Sequence, residues 1–300
     1  FGADIYQADA DFPAQTANSA DLARGAGPVP GINLFHPVYG ATSYHDYNLA
    51  ALPWRGTSTR SKRYGGYLQD EITLNPRWHV LAGLRWDGFE DDDRIAGSSV
   101  DGHDISWRLG STVVLREGLN VYANVASGFV PQTAANQNSA AGGPFDAERS
   151  RQWEVGMKSL LAERLTLNLA AYHIERSNIV QANGEIINGV NQLEALGLVR
   201  SKGMELDLLA DVTERWVLNL TYAYNDARVK EAGTAGITNA SGDRFANAPQ
   251  NKLGLWTRYD IPAISSAVGF GADYVDERLS LDGQRVKPYT VFDMSWKTQW

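Results

Sequence analysis

Polar and apolar residues alternate along this chain in about a dozen strand-length segments, joined in turn by a very short connection and a long one. The short connections centre on Asn75-Pro76-Arg77, Arg116-Glu117-Gly118, Ala162-Glu163-Arg164, Thr213-Glu214-Arg215 and Ile261-Pro262-Ala263-Ile264. The long ones cover positions 13–58, 90–104, 131–148, 181–197, 231–248 and 281–288. Short and long never exchange places. A soluble sandwich has no reason to keep every long loop at one end of its hairpins, whereas a barrel with one rim in the periplasm and the other outside does.

The strands are two-sided. Trp78, Val80, Ala82, Leu84 and Trp86 fall on one face, and His79, Leu81, Gly83 and Arg85 on the other. Eight residues separate Trp78 from Trp86, or roughly 26 Å at ~3.3 Å per residue, and about 20 Å along the membrane normal after a ~40° tilt. A lipid-facing band about 25 Å tall with an aromatic girdle at each edge has nearly that span. Trp216, Leu218, Leu220, Tyr222 and Tyr224 repeat the arrangement, and Met204 to Val212 and Leu165 to Ala171 alternate in the same way. Trp78, Trp86, Trp216, Tyr222 and Tyr224 are therefore expected in the girdles. A soluble antiparallel sheet with one wet face also alternates; the paired girdles and the loop rhythm favour the membrane. The opposite face mixes signs, with Arg85, Arg108, Lys158 and Arg258 beside Glu71, Glu154, Glu205 and Asp207. Mixed walls suit a lumen packed against another folded element better than an ion-selective pore.

Composition narrows this picture without overturning it. The apolar fraction of 43% is ordinary and the mean hydropathy of -0.32 hides the membrane signal, because a barrel strand shows lipid only every second residue. No run reaches the ~20 apolar residues of a spanning helix. With no Cys there is neither a disulfide scaffold nor a thiolate metal site. A net charge of -8 argues against nucleic acid. Nothing in the 300 residues marks a linker, so one continuous domain over 1–300 is expected.

Several stretches resemble successive strands of TonB-dependent siderophore receptors. They are Gly65-Gly66-Tyr67-Leu68-Gln69-Asp70-Glu71, Leu81-Ala82-Gly83-Leu84-Arg85-Trp86-Asp87, Tyr122 to Gln132, Glu148 to Lys158 and Ser201-Lys202-Gly203-Met204-Glu205-Leu206. Their order and spacing cover nearly the whole chain. Asn33-Leu34-Phe35-His36-Pro37-Val38-Tyr39-Gly40 is similar to the ferric hydroxamate and pyoverdine branch. The resemblance implies an all-β fold, a transmembrane antiparallel β-barrel with about 12 of an expected 22 strands present. The plug domain, the TonB box, the early strands and the last hairpin would lie outside these residues. It further implies a monomer in the Gram-negative outer membrane, surrounded by lipid and lipopolysaccharide. Such a receptor imports a ferric siderophore under power from the TonB-ExbB-ExbD machinery, with iron as cargo and no intrinsic cofactor. Haem, cobalamin or an oligosaccharide as cargo, a passive porin and a barrel enzyme are the alternatives.

Candidate ligand contacts are the aromatic and amide side chains of the outer loops, which can bury the organic shell of a chelate. These are Phe35, His36, Tyr39, Tyr44, Tyr47 and Trp54 in the longest loop, and Gln132 where a strand ends at the outer rim. Each could instead be a girdle or loop-packing residue. No metal site is expected: His36 and His45 lack a partner at ligand spacing, and Asp91-Asp92-Asp93 with Asp101-Gly102-His103-Asp104 lack the order of an EF-hand. No catalytic residue is expected either, since no nucleophile elbow or phosphate loop occurs in a strand-turn-helix context.

Overall fold

The computed structural model describes residues 1–12, 57–95, 97–162, 164–232, 241–281 and 283–298. The strands are β1 (Gly2–Phe12), β2 (Thr57–Asn75), β3 (Trp78–Asp93), β4 (Ser98–Arg116), β5 (Leu119–Val130), β6 (Glu148–Leu161), β7 (Leu165–Ser177) and β8 (Ile179–Ile187). They continue with β9 (Val190–Leu196), β10 (Leu198–Thr213), β11 (Trp216–Glu231), β12 (Asn251–Ile261), β13 (Ser266–Val275), β14 (Arg278–Leu279), β15 (Arg285–Val286) and β16 (Tyr289–Thr298). Twelve of them form one antiparallel meander in the order β1-β2-β3-β4-β5-β6-β7-β10-β11-β12-β13-β16. The pairs β8-β9 and β14-β15 are separate hairpins carried on long connections.

Register aligns the alternation of neighbouring strands, which is what turns a sequence pattern into two faces. Leu167 pairs with Leu208, Leu208 with Leu220, and Leu220 with Leu255, a row of leucines across four strands. One residue along, Asn168 pairs with Asp207 and Asp207 with Thr221. One face is thus apolar and the other polar. The described residues form a single layer, so apolar side chains on the first face have no protein above them: Leu84, Val155, Met204 and Phe292 are all exposed. Contiguous exposure of that extent requires another apolar phase.

Two expectations about loops need correction. The stretch 90–104 is not a long loop, because β3 and β4 stay paired as far as Asp93 and Ser98 and the chain reverses within 94–97. The apolar alternation stops at the band's edge while the strands continue, held by cross-strand ion pairs in its place. Lys62 Nζ meets Glu90 Oε2 at 2.7 Å, Arg63 Nη2 meets Asp91 Oδ2 at 2.6 Å, and Phe89 is buried beneath them. At the tip of β1, Arg60 and Arg94 both reach Asp9 Oδ1, at 2.8 and 2.7 Å. With Gln7 they hold the Asp9 carboxyl down to about 2. The stretch 181–197 likewise contains most of the β8-β9 hairpin.

Candidate functional site

The polar face carries its most elaborate network where β6, β7, β10 and β11 approach the long-loop end. Glu154 accepts hydrogen bonds from Tyr122 Oη at 2.8 Å, Gln152 Nε2 at 2.9 Å and Asn124 Nδ2 at 3.4 Å. These residues meet because Asn124 pairs with Glu154 across the β5-β6 ladder and Glu154 with Tyr172 across β6-β7. Ser201 donates to Asn225 at 2.5 Å on the adjoining strands. Gln152, Glu154, Tyr172, Ser201 and Asn225, together with Glu205 and a roof formed by Phe245, line a concavity of about 420 Å³. Arg176, also on its wall, is neutralised by Glu148 at 2.6 Å. Neither Glu154 nor Glu205 has an ion-pair partner among the described residues, so the wall here is acidic and rich in hydrogen-bonding groups. It suits a cationic or donor-bearing group presented from the lumen.

Two glycines make this wall flat enough to line a cavity. A Cβ on Gly156 would collide with the Tyr122 ring, and one on Gly203 with both the Tyr172 hydroxyl and the Tyr224 carbonyl. Gly203→Val is therefore expected to cost about 1–3 kcal/mol through overpacking. Equilibrium unfolding of the full-length protein checks this, and a change near zero would show that the Tyr172 side chain and the β11 backbone at Tyr224 yield without cost.

Above the concavity the outer connections form a lobe. Connection 131–147 makes two 3-10 turns, Ala134–Gln137 and Ser139–Ala141, and packs against the β8-β9 hairpin. Gln192 Nε2 donates to Ala140 O at 2.9 Å, and the buried Glu194 accepts from Gln181 Nε2 at 3.0 Å. Leu196, Val199 and Val229 make a small apolar core with Ile179 and Phe245 packed against it.

Gln132 lies inside this lobe. It is 9% exposed, donates to the Asn178 carbonyl at 3.2 Å and accepts from Asn136 at 2.9 Å, so its amide joins two outer connections. Phe35, His36, Tyr39, Tyr44, Tyr47 and Trp54 fall outside the described residues. Trp78, Trp86, Trp216, Tyr222 and Tyr224 all stand on the apolar face. The Trp78 indole donates to Ser111 at 2.8 Å, the Trp216 indole to Thr257 at 2.7 Å, and Tyr222 to Asn251 at 2.9 Å. Sequence reasoning missed Phe245, Gln192 and Glu194. The alternation of Gln192, Glu194 and Leu196 was the available signal, inside a stretch too polar to read as a strand. Among the described residues no group of three or more His, Asp or Glu side chains could hold a metal ion.

A meander with one exposed apolar face edged by aromatics, a hydrogen-bonded polar face, and long structured connections at one end only defines the wall of a transmembrane β-barrel. The family described as TonB dependent receptor-like, beta-barrel, matches residues 3–300, and the chain belongs to it. That family places it in the Gram-negative outer membrane. The ferrioxamine B receptor of Salmonella typhimurium strain SL1344 is 26% identical over 278 residues, which are 89% of this chain and 37% of that protein. The metal-pseudopaline receptor CntO of Pseudomonas aeruginosa strain UCBPP-PA14 is 29% identical over 244 residues, 76% of this chain and 33% of that one. Among solved structures, the siderophore receptor PiuA from Acinetobacter baumannii superposes with a TM-score of 0.68 at 24% identity, over 82% of this chain and 38% of that one. The chain spans little more than a third of the length of the ferrioxamine B receptor.

Proposed function

We propose that residues 1–300 are part of the barrel of a receptor that captures a ferric siderophore outside the cell and imports it under power from TonB. The observation that carries this reading is the family match over 3–300, joined to relatives named for siderophores. Capture falls to the outer connections, including Phe35, His36, Tyr39, Tyr44, Tyr47 and Trp54, and Gln132 braces the lobe through Asn178 and Asn136. Glu154 and Glu205 face the lumen as acceptors for a plug that fills it and couples to TonB-ExbB-ExbD. Trp78, Trp86, Trp216, Tyr222 and Tyr224 anchor the barrel at the membrane edges, where an apolar body with a polar tip is favoured. The cargo is an already formed chelate, so the protein needs no bond-making chemistry and no resident cofactor.

The test is binding of a panel of ferric and iron-free siderophores, hydroxamates included, to the full-length parent protein in detergent, read by tryptophan quenching. Submicromolar, ferric-selective binding of one class is expected. A folded barrel that stays silent across the panel sinks the siderophore reading. Because one relative is named for a metal-pseudopaline complex, metal-pseudopaline chelates belong in the panel. Binding of those alone would transfer the assignment to a different metal cargo.

A further inference from the structure

On the polar side of the wall, aromatic rings repeatedly lie on glycines that stand directly opposite them in register. Tyr67 faces Gly2, Phe89 faces Gly102, Tyr122 faces Gly156, Tyr172 faces Gly203 and Trp256 faces Gly271. Tyr64 opposite Gly88 repeats the arrangement on the other side. In every case a Cβ on the glycine would run into the ring. A glycine inside a strand weakens it and leaves a gap in the pleated surface, and a ring from the neighbouring strand fills that gap.

Three of these pairs join strands that no tight turn connects. β1 reaches β2 through positions 13–56, β5 reaches β6 through 131–147, and β7 reaches β10 through 178–197. A tight turn sets the register of its hairpin, whereas connections of this length do not. Alternating polarity does not set it either, because a slip of two residues returns every side chain to its own face. The ring does tell the alignments apart. A slip of two would place Tyr122 opposite Glu154 or Lys158, and Tyr172 opposite Ser201 or Glu205. Tyr67 would meet Asp4. Each ring would then overlie a side chain while its glycine stood bare.

Trp256 supplies the contrast. Its indole covers Gly269 as well as Gly271, so a slip of two in one direction still finds a glycine beneath it. That pair is closed by the tight turn Pro262–Ile264, which fixes the register without help from the ring. β11-β12 and β13-β16, also joined by long connections, make other aromatic contacts: Tyr222 Oη donates to Asn251 at 2.9 Å, and the Phe270 and Phe292 rings stack with centroids 6.1 Å apart.

We propose that Tyr67, Tyr122 and Tyr172, each seated on its opposite glycine, are register keys that select one alignment of β1-β2, β5-β6 and β7-β10 as the wall assembles. The ring acts by its shape and the hydroxyl is dispensable for it. This assignment holds whichever chelate is imported.

The test is disulfide trapping while the full-length protein refolds from urea into lipid vesicles, with a membrane-permeant oxidant added at intervals and the linked peptides identified by mass spectrometry. None of the 300 residues is cysteine, so nothing in this wall competes with an engineered pair. Ala123 pairs with Val155, so A123C/V155C reports the native register, and A123C/W153C and A123C/M157C report slips of two in either direction. A disulfide needs Cβ atoms about 3.5–4.5 Å apart and diagonal neighbours are separated by about 7–8 Å, so each pair reads one register. Y122A is expected to raise the slipped fraction at least fivefold early in folding. Y122F keeps the ring, loses the hydrogen bond to Glu154, and should stay at the level of the parent. Moving the glycine gives a directed result: G156K/K158G seats the ring opposite position 158 and should favour the A123C/M157C link over A123C/W153C at least fivefold. Y172A, read at A171C/M204C against A171C/K202C and A171C/L206C, covers failure of Y122A to fold. Equal slipped fractions in the parent and the alanine variants would overturn the proposal. So would a Y122F that slips like Y122A, or a G156K/K158G that gives the native link alone.

Discussion

Leu220→Arg is expected to destabilise the full-length barrel by about 2–4 kcal/mol, the cost of a cation on the lipid face near the bilayer midplane. Leu220 lies four positions from Trp216 and four from Tyr224 on the same face of β11, midway between the two aromatic edges. Its register partners are Leu208 and Leu255, so no acceptor stands within a strand's width on either side. The guanidinium would have to reach an aromatic edge about 10 Å away along the normal, farther than its side chain extends without distorting the band. Asn168→Arg makes the comparison. It places the same group on the polar face opposite Asp207, where it gains a carboxylate and meets no lipid, and the change should stay within about 1 kcal/mol. Urea-driven equilibrium folding into lipid vesicles, followed by tryptophan fluorescence, measures both. Equal losses at the two positions would mean that both faces are buried in protein and would reject the single-walled barrel.

The contrast between these two residues also explains how much of the fold was legible. A wall one strand thick needs only a period of two and a register, and both are local: the apolar face within 78–86, 165–171, 204–212 and 216–224 could be assigned before any tertiary contact was known. The tight turns were equally plain, because each joins adjacent strands and carries its own turn chemistry. Beyond the aromatic edge that logic lapses. β3 and β4 continue through Glu90 to Asp93 and Ser99 to Asp104 as strands with polar side chains on both faces, Asp91 and Asp93 being buried ones, so nothing in their alternation separates them from a loop. What keeps them paired is Lys62 against Glu90 and Arg63 against Asp91, contacts between residues nearly thirty positions apart. The lumen concavity was half legible. Glu154 and Glu205 could be placed on the polar face by counting, yet Phe245 closes over them from a connection with no periodicity at all. Gln132 shows the same limit in reverse: its position at a strand end was readable, while its commitment to Asn178 and Asn136 depends on how two outer connections fold together.

That lobe carries the second large effect. Leu196→Ala is expected to loosen the outer connections by about 2–3 kcal/mol, the lower part of the range for truncating a buried leucine, because the core is small and can partly collapse. Leu196 is fully buried against Val199 and Val229, with Ile179 and Phe245 around them. Truncation removes the residue that joins the β8-β9 hairpin to the root of β10 and to the roof of the lumen concavity. Local opening should become roughly 30- to 150-fold more frequent, since each 1.4 kcal/mol is a factor of ten. Hydrogen exchange at the amides of β8 and β9 reads this directly, with those of β7 and β11 between their aromatic edges as the internal reference. Exchange should rise in the hairpin and remain unchanged in the reference, because the transmembrane ladder draws its stability from lipid contact and backbone pairing rather than from the lobe. A uniform rise along both would show that lobe and wall unfold as one unit. No rise at all would show that Gln192 and Glu194, through Ala140 and Gln181, hold the hairpin without its apolar core.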